Sequence, residues 1–351
     1  MSEPFWTTAQ MLERVVRYDD LVPCTTAFID AKTPGSHLKE NFTIIGGGVA
    51  ENPDQYVHIT ERHGFNVGGA RQPPYIKNSL HSHDTAEVFV VFKGTWRFYW
   101  GADGTDGEAV LTYGDTITLP TRLFRGFENV GPDKGFIFSV LGGDVPGRVT
   151  WVPEVLEAAN GYGLVLLEDG RLIDTTEGQS VPADVRPARP LTDQEMHAFK
   201  HLGVADMEQY VVRLADLSKL EIEDAGVWLP SSGSELHFYK VVDPTAATPK
   251  SDWPHGFNLH AVRAESNVGA ASELYSYPTS EVFIILSGSW LVDWVQDRNT
   301  NQIFLKAGDT FSCPANLIHS FSNIDEGLLF VVRGGDKLVQ PQVAKQKEAT
   351  V

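Results

Sequence analysis

Hydrophobic and polar positions along the chain fall into many short runs rather than long helical stripes. Val88-Phe89-Val90-Val91-Phe92 and Val282-Phe283-Ile284-Ile285-Leu286 are continuous β-branched and aromatic segments, each followed by a glycine turn at Gly94 or Gly288. That is the pattern of a strand buried on both faces. Trp96-Arg97-Phe98-Tyr99-Trp100, Thr116-Ile117-Thr118-Leu119 and Phe136-Ile137-Phe138-Ser139-Val140 follow the first of these at short spacing, with turn residues between them. The pattern predicts an all-β chain built as a sandwich or barrel. Helix is predicted only at the edges: Thr8 to Arg17, a turn around Pro153 to Ala159, and a segment opened by Thr192-Asp193-Gln194-Glu195, which has capping-box spacing.

The strand pattern occurs twice. His63-Gly64-Phe65-Asn66 returns as His255-Gly256-Phe257-Asn258 at an offset of 192 residues, and Gly114-Asp115-Thr116 as Gly308-Asp309-Thr310 at 194. Glu87-Val88-Phe89, Pro120 and Asn129 recur as Glu281-Val282-Phe283, Pro314 and Asn323 at that same 194. Val15-Val16-Arg17 matches Val211-Val212-Arg213 at 196, and Gly142-Gly143-Asp144 matches Gly334-Gly335-Asp336 at 192. Collinear blocks with nearly constant offsets identify a tandem duplication. We divide the chain into a first barrel over 1–150, a connection with a helix over 151–203, a second barrel over 204–340 and a polar, frayed tail over 341–351. The connection contains Pro182, Pro187 and Pro190 and has no counterpart elsewhere.

Composition removes several classes of function. With 42% hydrophobic and 11% aromatic residues in 351, global disorder is excluded. The formal charge of −18 disfavours nucleic acid and anionic membrane surfaces as partners. Cys24 and Cys313 are too few and too far apart for a disulfide scaffold or a cysteine-based zinc site. The opening residues show no leader pattern, and no run is long and apolar enough to span a bilayer. The expectation is a cytoplasmic protein in a reducing compartment.

The chemistry concentrates in Asn78-Ser79-Leu80-His81-Ser82-His83-Asp84-Thr85-Ala86-Glu87. Two imidazoles at i and i+2 share one face of an extended strand, and a carboxylate follows four residues later. Two neutral nitrogens and one anionic oxygen form a set that holds a divalent first-row metal with positions left open. The alternative is that both histidines are ordinary polar residues of a barrel.

These blocks resemble the cupin superfamily. Its first motif, His-x-His-x3-Glu-x6-Gly, is matched by His81, His83, Glu87 and Gly94. Its second is matched by Gly114, Pro120 and Asn129. With the duplication, the chain resembles a bicupin. The resemblance implies two tandem jelly-roll (cupin, RmlC-like) β-barrels with a few peripheral helices, and one divalent transition metal in the first, Fe2+ foremost, with Mn2+, Ni2+, Zn2+ or Cu2+ as alternatives.

Departures from the motif are informative. The last ligand of the second motif is Arg125 in the first copy, leaving three ligands. Arg125 has a fork suited to a carboxylate or enolate and is read as a substrate clamp; otherwise it turns outward or pairs with Glu128 or Glu87. In the second copy His319 is present, but Tyr275 and Tyr277 replace the two histidines, so Glu281 and His319 alone would hold a cation weakly. Tyr275, Tyr277, Glu281 and His319 are therefore expected to form a metal-free, hydrogen-bonded remnant. Arg122 and Asn316 replace the second motif's glycine. His63 and His255, present in both copies, are read as structural.

Three functions follow. The first is a non-haem dioxygenase resembling quercetinase-like and gentisate-like enzymes, acting on an anionic enolic or phenolic molecule with O2. The second is a metal-dependent isomerase, lyase or decarboxylase of a small organic or sugar acid, with Tyr99 or Glu128 transferring the proton. The third is a non-catalytic binding bicupin. A homodimer is compatible with exposed barrel edges.

Overall fold

A computed structural model of the chain describes residues 6–220, 236–243, 256–265, 269–296, 299–335 and 339–344. His255, Asp336 and the tail beyond 344 lie outside the described residues. The expected all-β architecture is present: two strand-rich units, each of two facing sheets, with short helices at the margins.

One unit comprises residues 22–214. Its larger sheet runs in the order Val211–Val212, Thr116–Leu119, Glu87–Lys93, Gly135–Gly142, Phe65–Gln72, Glu40–Ile45, Val57–Ile59. The facing sheet runs Val149–Trp151, Lys77–His83, Arg125–Asn129, Trp96–Trp100, Gly107–Leu111. Phe89, Val91, Ile117 and Ile137 from the first sheet meet Trp96, Phe98, Trp100 and Phe127 from the second to form the core. Alternation along Trp96–Trp100 is strict: the three aromatic residues at 96, 98 and 100 are fully buried, while Arg97 and Tyr99 take the opposite face.

The other unit comprises residues 1–21, 215–246 and 256–351. Among the described residues one sheet runs Val15–Val16, Thr310–Cys313, Glu281–Ser287, Gly327–Gly334, Phe257–Ala264, Leu236–Val242. The other runs Asn299–Lys306, Ser289–Gln296, His319–Asn323, Tyr275–Ser276, Gln342–Val343. Phe283, Ile285, Phe311, Trp290, Trp294 and Phe321 fill its core.

The same tight turn carries the chain from one sheet to the facing sheet in each copy. Gly94 and Gly288 have φ of 91° and 73°, and a Cβ there would lie 2.8 Å from the Gly135 Cα and 2.6 Å from the Glu326 carbonyl oxygen, so only glycine fits.

Three boundaries differ from the sequence reading. The first strand of each repeat pairs in the other copy's sheet: Val15–Val16 lie against Phe311 and Thr310, and Val211–Val212 against Ile117 and Thr116. Residues 1–21 thus group with the second barrel rather than the first. The stretch 151–203 is more than a connection. Its helix Pro153–Gly161 and hairpin Leu164–Leu166/Leu172–Asp174 build a satellite core with Ile29, Ala31 and Trp151. In the tail, Gln342–Val343 pairs with Tyr275–Ser276 instead of fraying. The helix expected over 8–17 is the five-residue Thr8–Leu12, capped by Thr7 and Gln10, because Val15 and Val16 are drawn into a sheet. Among the described residues no helix is long and apolar enough to cross a membrane.

Candidate metal centre

His81 and His83 lie on Lys77–His83 at alternate positions, so both rings point between the sheets; Glu87 opens the strand Glu87–Lys93. All three are at most 5% exposed, and one donor atom from each falls within 4.8 Å of the others. His83 Nε2 and Glu87 Oε2 are 3.5 Å apart. That is long for a hydrogen bond and close to the edge of a tetrahedron with 2.0–2.1 Å bonds, about 3.4 Å.

The imidazoles are prepared as ligands. His81 Nδ1–H donates a hydrogen bond to the Ser79 carbonyl at 2.7 Å, which fixes the proton on Nδ1 and leaves the Nε2 lone pair free. Burial first, then the Arg125 charge, holds both histidines well below the usual imidazole range, so both are neutral donors. Burial raises the Glu87 carboxyl, and Arg125 opposes that rise. His81 also packs on Trp151, with ring centroids 5.2 Å apart.

Arg125, 1% exposed, is the cross-strand partner of His81. Its Nη2 donates to Glu87 Oε2 at 2.9 Å, and its Nη1 donates to the His81 carbonyl at 3.4 Å. Among the described residues its buried Nε has no hydrogen-bond partner. Of the arrangements open in the sequence, the structure thus shows the pairing with Glu87. Asn78, His81, His83, Glu87, Phe89 and Phe127 line a cavity of about 70 Å³, room for a few waters.

Tyr99 and Glu128 are not part of this centre. Glu128 is three residues beyond Arg125 on one strand and so faces away; Arg97 Nη2 donates to it at 2.6 Å. Tyr99 points out of the same sheet and donates to the Asn78 carbonyl at 3.3 Å, its phenol pushed up by burial. Arg122 has a φ of 58° and Asn316 one of 62°, the left-handed conformation for which glycine is suited. The Arg122 amide donates to the His83 carbonyl at 3.3 Å.

Sequence reasoning missed the support beneath the ligands. Lys39 and Asp30, both fully buried, form an ion pair; Lys39 Nζ also donates to Asn78 Oδ1 at 2.7 Å. Asp30 Oδ2 accepts from the Ser79 amide at 3.0 Å, fixing the residue whose carbonyl orients His81. Glu51, which accepts from Trp151 Nε1 at 2.6 Å and from the Ile29 amide at 2.7 Å, is pushed up to about 8, mainly by burial. No spacing rule connects residues 30, 39 and 51 to the motif. His63 is bonded to the Glu61 carbonyl at 2.8 Å and meets the Phe65 ring edge-on at 5.7 Å between centroids, a structural setting.

The second barrel brings Tyr275, Tyr277, Glu281 and His319 together with two residues that the motif does not contain. Arg333 donates from Nε to Glu281 Oε1 at 2.7 Å and lies over the Tyr277 ring at 4.5 Å; Tyr275 OH donates to the same oxygen at 3.3 Å. Cys313 is the cross-strand partner of Glu281. A charged residue at the inward parity of the apolar run Leu328–Val332 was the available signal for Arg333.

No protein-family model matches the chain, and no curated protein sequence matches it. Solved structures do. A point mutant of Bacillus subtilis oxalate decarboxylase superimposes with a TM-score of 0.54 at 14% identity, over 93% of this chain and 78% of that one. The formate complex of Lactobacillus farciminis oxalate decarboxylase gives 0.55 at 12%, over 94% and 88%. A further B. subtilis structure, from work on the Mn(II) centres of that enzyme, gives 0.53 at 14%, over 93% and 78%. At such identities the likeness speaks for fold alone: the chain shares the tandem double-barrel fold of those structures.

Proposed function

We propose that this chain is a metal-dependent enzyme acting on a small carboxylic acid, and that its reaction is of the lyase type, release of carbon dioxide, in preference to dioxygenation. The observation that carries the reading is the convergence of His81, His83 and Glu87 on a cavity of about 70 Å³, with the buried Arg125 guanidinium bonded to Glu87. A multi-ring phenol needs a pocket of several hundred Å³, whereas an acid of a few heavy atoms does not. The oxalate decarboxylases that share the fold favour the same class of substrate.

In this reading His81 Nε2, His83 and Glu87 hold a divalent first-row ion, with Mn2+ and Fe2+ the first to test. When bound, the ion supplies a fixed positive charge that polarises the substrate's carboxylate. Arg125 turns its partnerless Nε–H, and the Nη2–H it now gives to Glu87, toward the anion and holds it in one orientation. Phe89 and Phe127 limit water on the apolar side of the cavity. As the carbon–carbon bond breaks, carbon dioxide leaves and the electron pair remains on the product carbon. Solvent supplies the proton that it takes up, since Tyr99 and Glu128 face elsewhere.

The test is metal content per chain on protein purified without chelator, then carbon dioxide release and oxygen uptake on one sample with a panel of small mono- and dicarboxylic acids. Carbon dioxide release without matching oxygen consumption is expected. Stoichiometric oxygen uptake would establish the dioxygenase instead, and an unchanged metal content in a His81→Ala/His83→Ala variant would reject the site.

A further inference from the structure

We propose that the second barrel carries its own metal site, formed by Glu281, Cys313 and His319, whose thiolate ligand makes it selective for Zn2+ or Cu+ over the harder ions suited to the first barrel. The inference does not depend on the reaction proposed above.

The donors are brought together by the sheets. Cys313 pairs with Glu281 across neighbouring strands and shares the inward parity of Phe311, and His319 opens the strand His319–Asn323. All three are at most 1% exposed, and one donor atom from each lies within 4.8 Å of the others. His319 Nδ1–H donates a hydrogen bond to the Leu317 carbonyl at 3.0 Å, which keeps the proton on Nδ1 and leaves the Nε2 lone pair directed inward. Arg333 and Tyr275 both bond Oε1 of Glu281, which leaves Oε2 for a monodentate contact.

The two remaining atoms, His319 Nε2 and Glu281 Oε2, are buried, have no hydrogen-bond partner among the described residues, and face one another at 3.4 Å. Leaving two such groups unsatisfied is costly, and a cation between them satisfies both. Their separation matches the 3.5 Å between His83 Nε2 and Glu87 Oε2 in the first barrel. The loss of two motif histidines to tyrosine is thus offset by a cysteine arriving from a different strand. A sulfur, nitrogen and oxygen set within an apolar core suits a structural Zn2+. Binding replaces the sulfhydryl proton, which is released to solvent, with a metal–sulfur bond.

The experiment uses full-length His81→Ala/His83→Ala protein, stripped of metal and titrated with Co2+ and then Zn2+. Expected are one Co2+ per chain with an intense thiolate charge-transfer band in the near ultraviolet, its displacement by Zn2+, and a thermal transition raised by Zn2+. In the same background Cys24→Ser keeps the band, while Cys313→Ser and His319→Ala lose it. Should Cys313→Ser fail to fold, the Cys24→Ser protein decides, because Cys313 is then its sole thiol. Absence of a thiolate band there, or a band that disappears with Cys24, overturns the proposal and leaves the Arg333–Glu281 pair as the charge-balancing unit of that barrel.

Discussion

Around the motif carboxylate the two barrels differ at every neighbouring position while keeping its charge balanced. Glu87 is flanked by His81, His83, Leu119, Arg125 and Leu141, and Glu281 by Tyr275, Tyr277, Cys313, His319 and Arg333 at the equivalent places in the sheets. Each carboxylate is met by one buried arginine, delivered on Arg125–Asn129 in one barrel and on Gly327–Gly334 in the other. The duplicated scaffold therefore fixes where a carboxylate sits and requires a cation beside it. Which strand supplies that cation decides which other positions remain for ligands.

The largest effect that tests this contrast is on activity and metal. His81→Ala/His83→Ala should abolish turnover, lower metal by one equivalent per chain in elemental analysis and leave the fold intact by circular dichroism. Tyr277→Ala should leave metal content unchanged.

Next is stability. Arg333→Leu strands Glu281 as an uncompensated buried charge and should cost about 3–5 kcal/mol in denaturant unfolding. Arg125→Leu strands Glu87 likewise, but the loss should shrink on adding Mn2+ or Fe2+, which would replace the guanidinium as the cation. Equal losses with and without metal would break the comparison. Arg125→Lys keeps the charge but not the fork and should raise KM for a carboxylate substrate about ten- to a hundredfold, with metal content unaffected.

A smaller effect distinguishes the first barrel by pH. Glu51 titrates at about 8 in the folded chain and near 4.3 when unfolded. Between those values the native state binds the extra proton, so its contribution to stability is present below about pH 4.3 and is lost as pH rises toward 8, at up to about 1.4 kcal/mol per unit. Glu51→Gln should remove that slope, gaining on the parent protein from pH 5 to 9 in thermal melts. The smallest expected effect is none: Tyr99→Phe and Glu128→Gln should leave kcat unchanged, and a loss in either would return them to the reaction.

The duplication was legible because glycine turns and paired blocks keep constant offsets, and the grouping of His81, His83 and Glu87 because their spacing acts across one short connection between the two facing sheets. Tyr99 and Glu128 were misplaced because nearness in sequence to Arg125 or the aromatic strand ignored which face each occupies. Cys313 and Arg333 carry no motif; they reach Glu281 only through cross-strand register, which one sequence does not specify. Lys39 and Asp30 join the centre through tertiary contacts of a loop, and residues 15–16 were recognised as a repeat without their pairing partner being evident.

That exchanged pairing has a consequence for how the chain is made. Val16 leaves the ribosome 294 residues before its partner Thr310, an interval of roughly 15–60 s at typical synthesis rates. Through that time the N-terminal segment waits without its sheet, whereas the first barrel obtains its last strand as soon as Val211–Val212 emerges. Val15 and Val16 are thus among the last residues to find their place, and a substitution there would be felt in the barrel that holds Thr310.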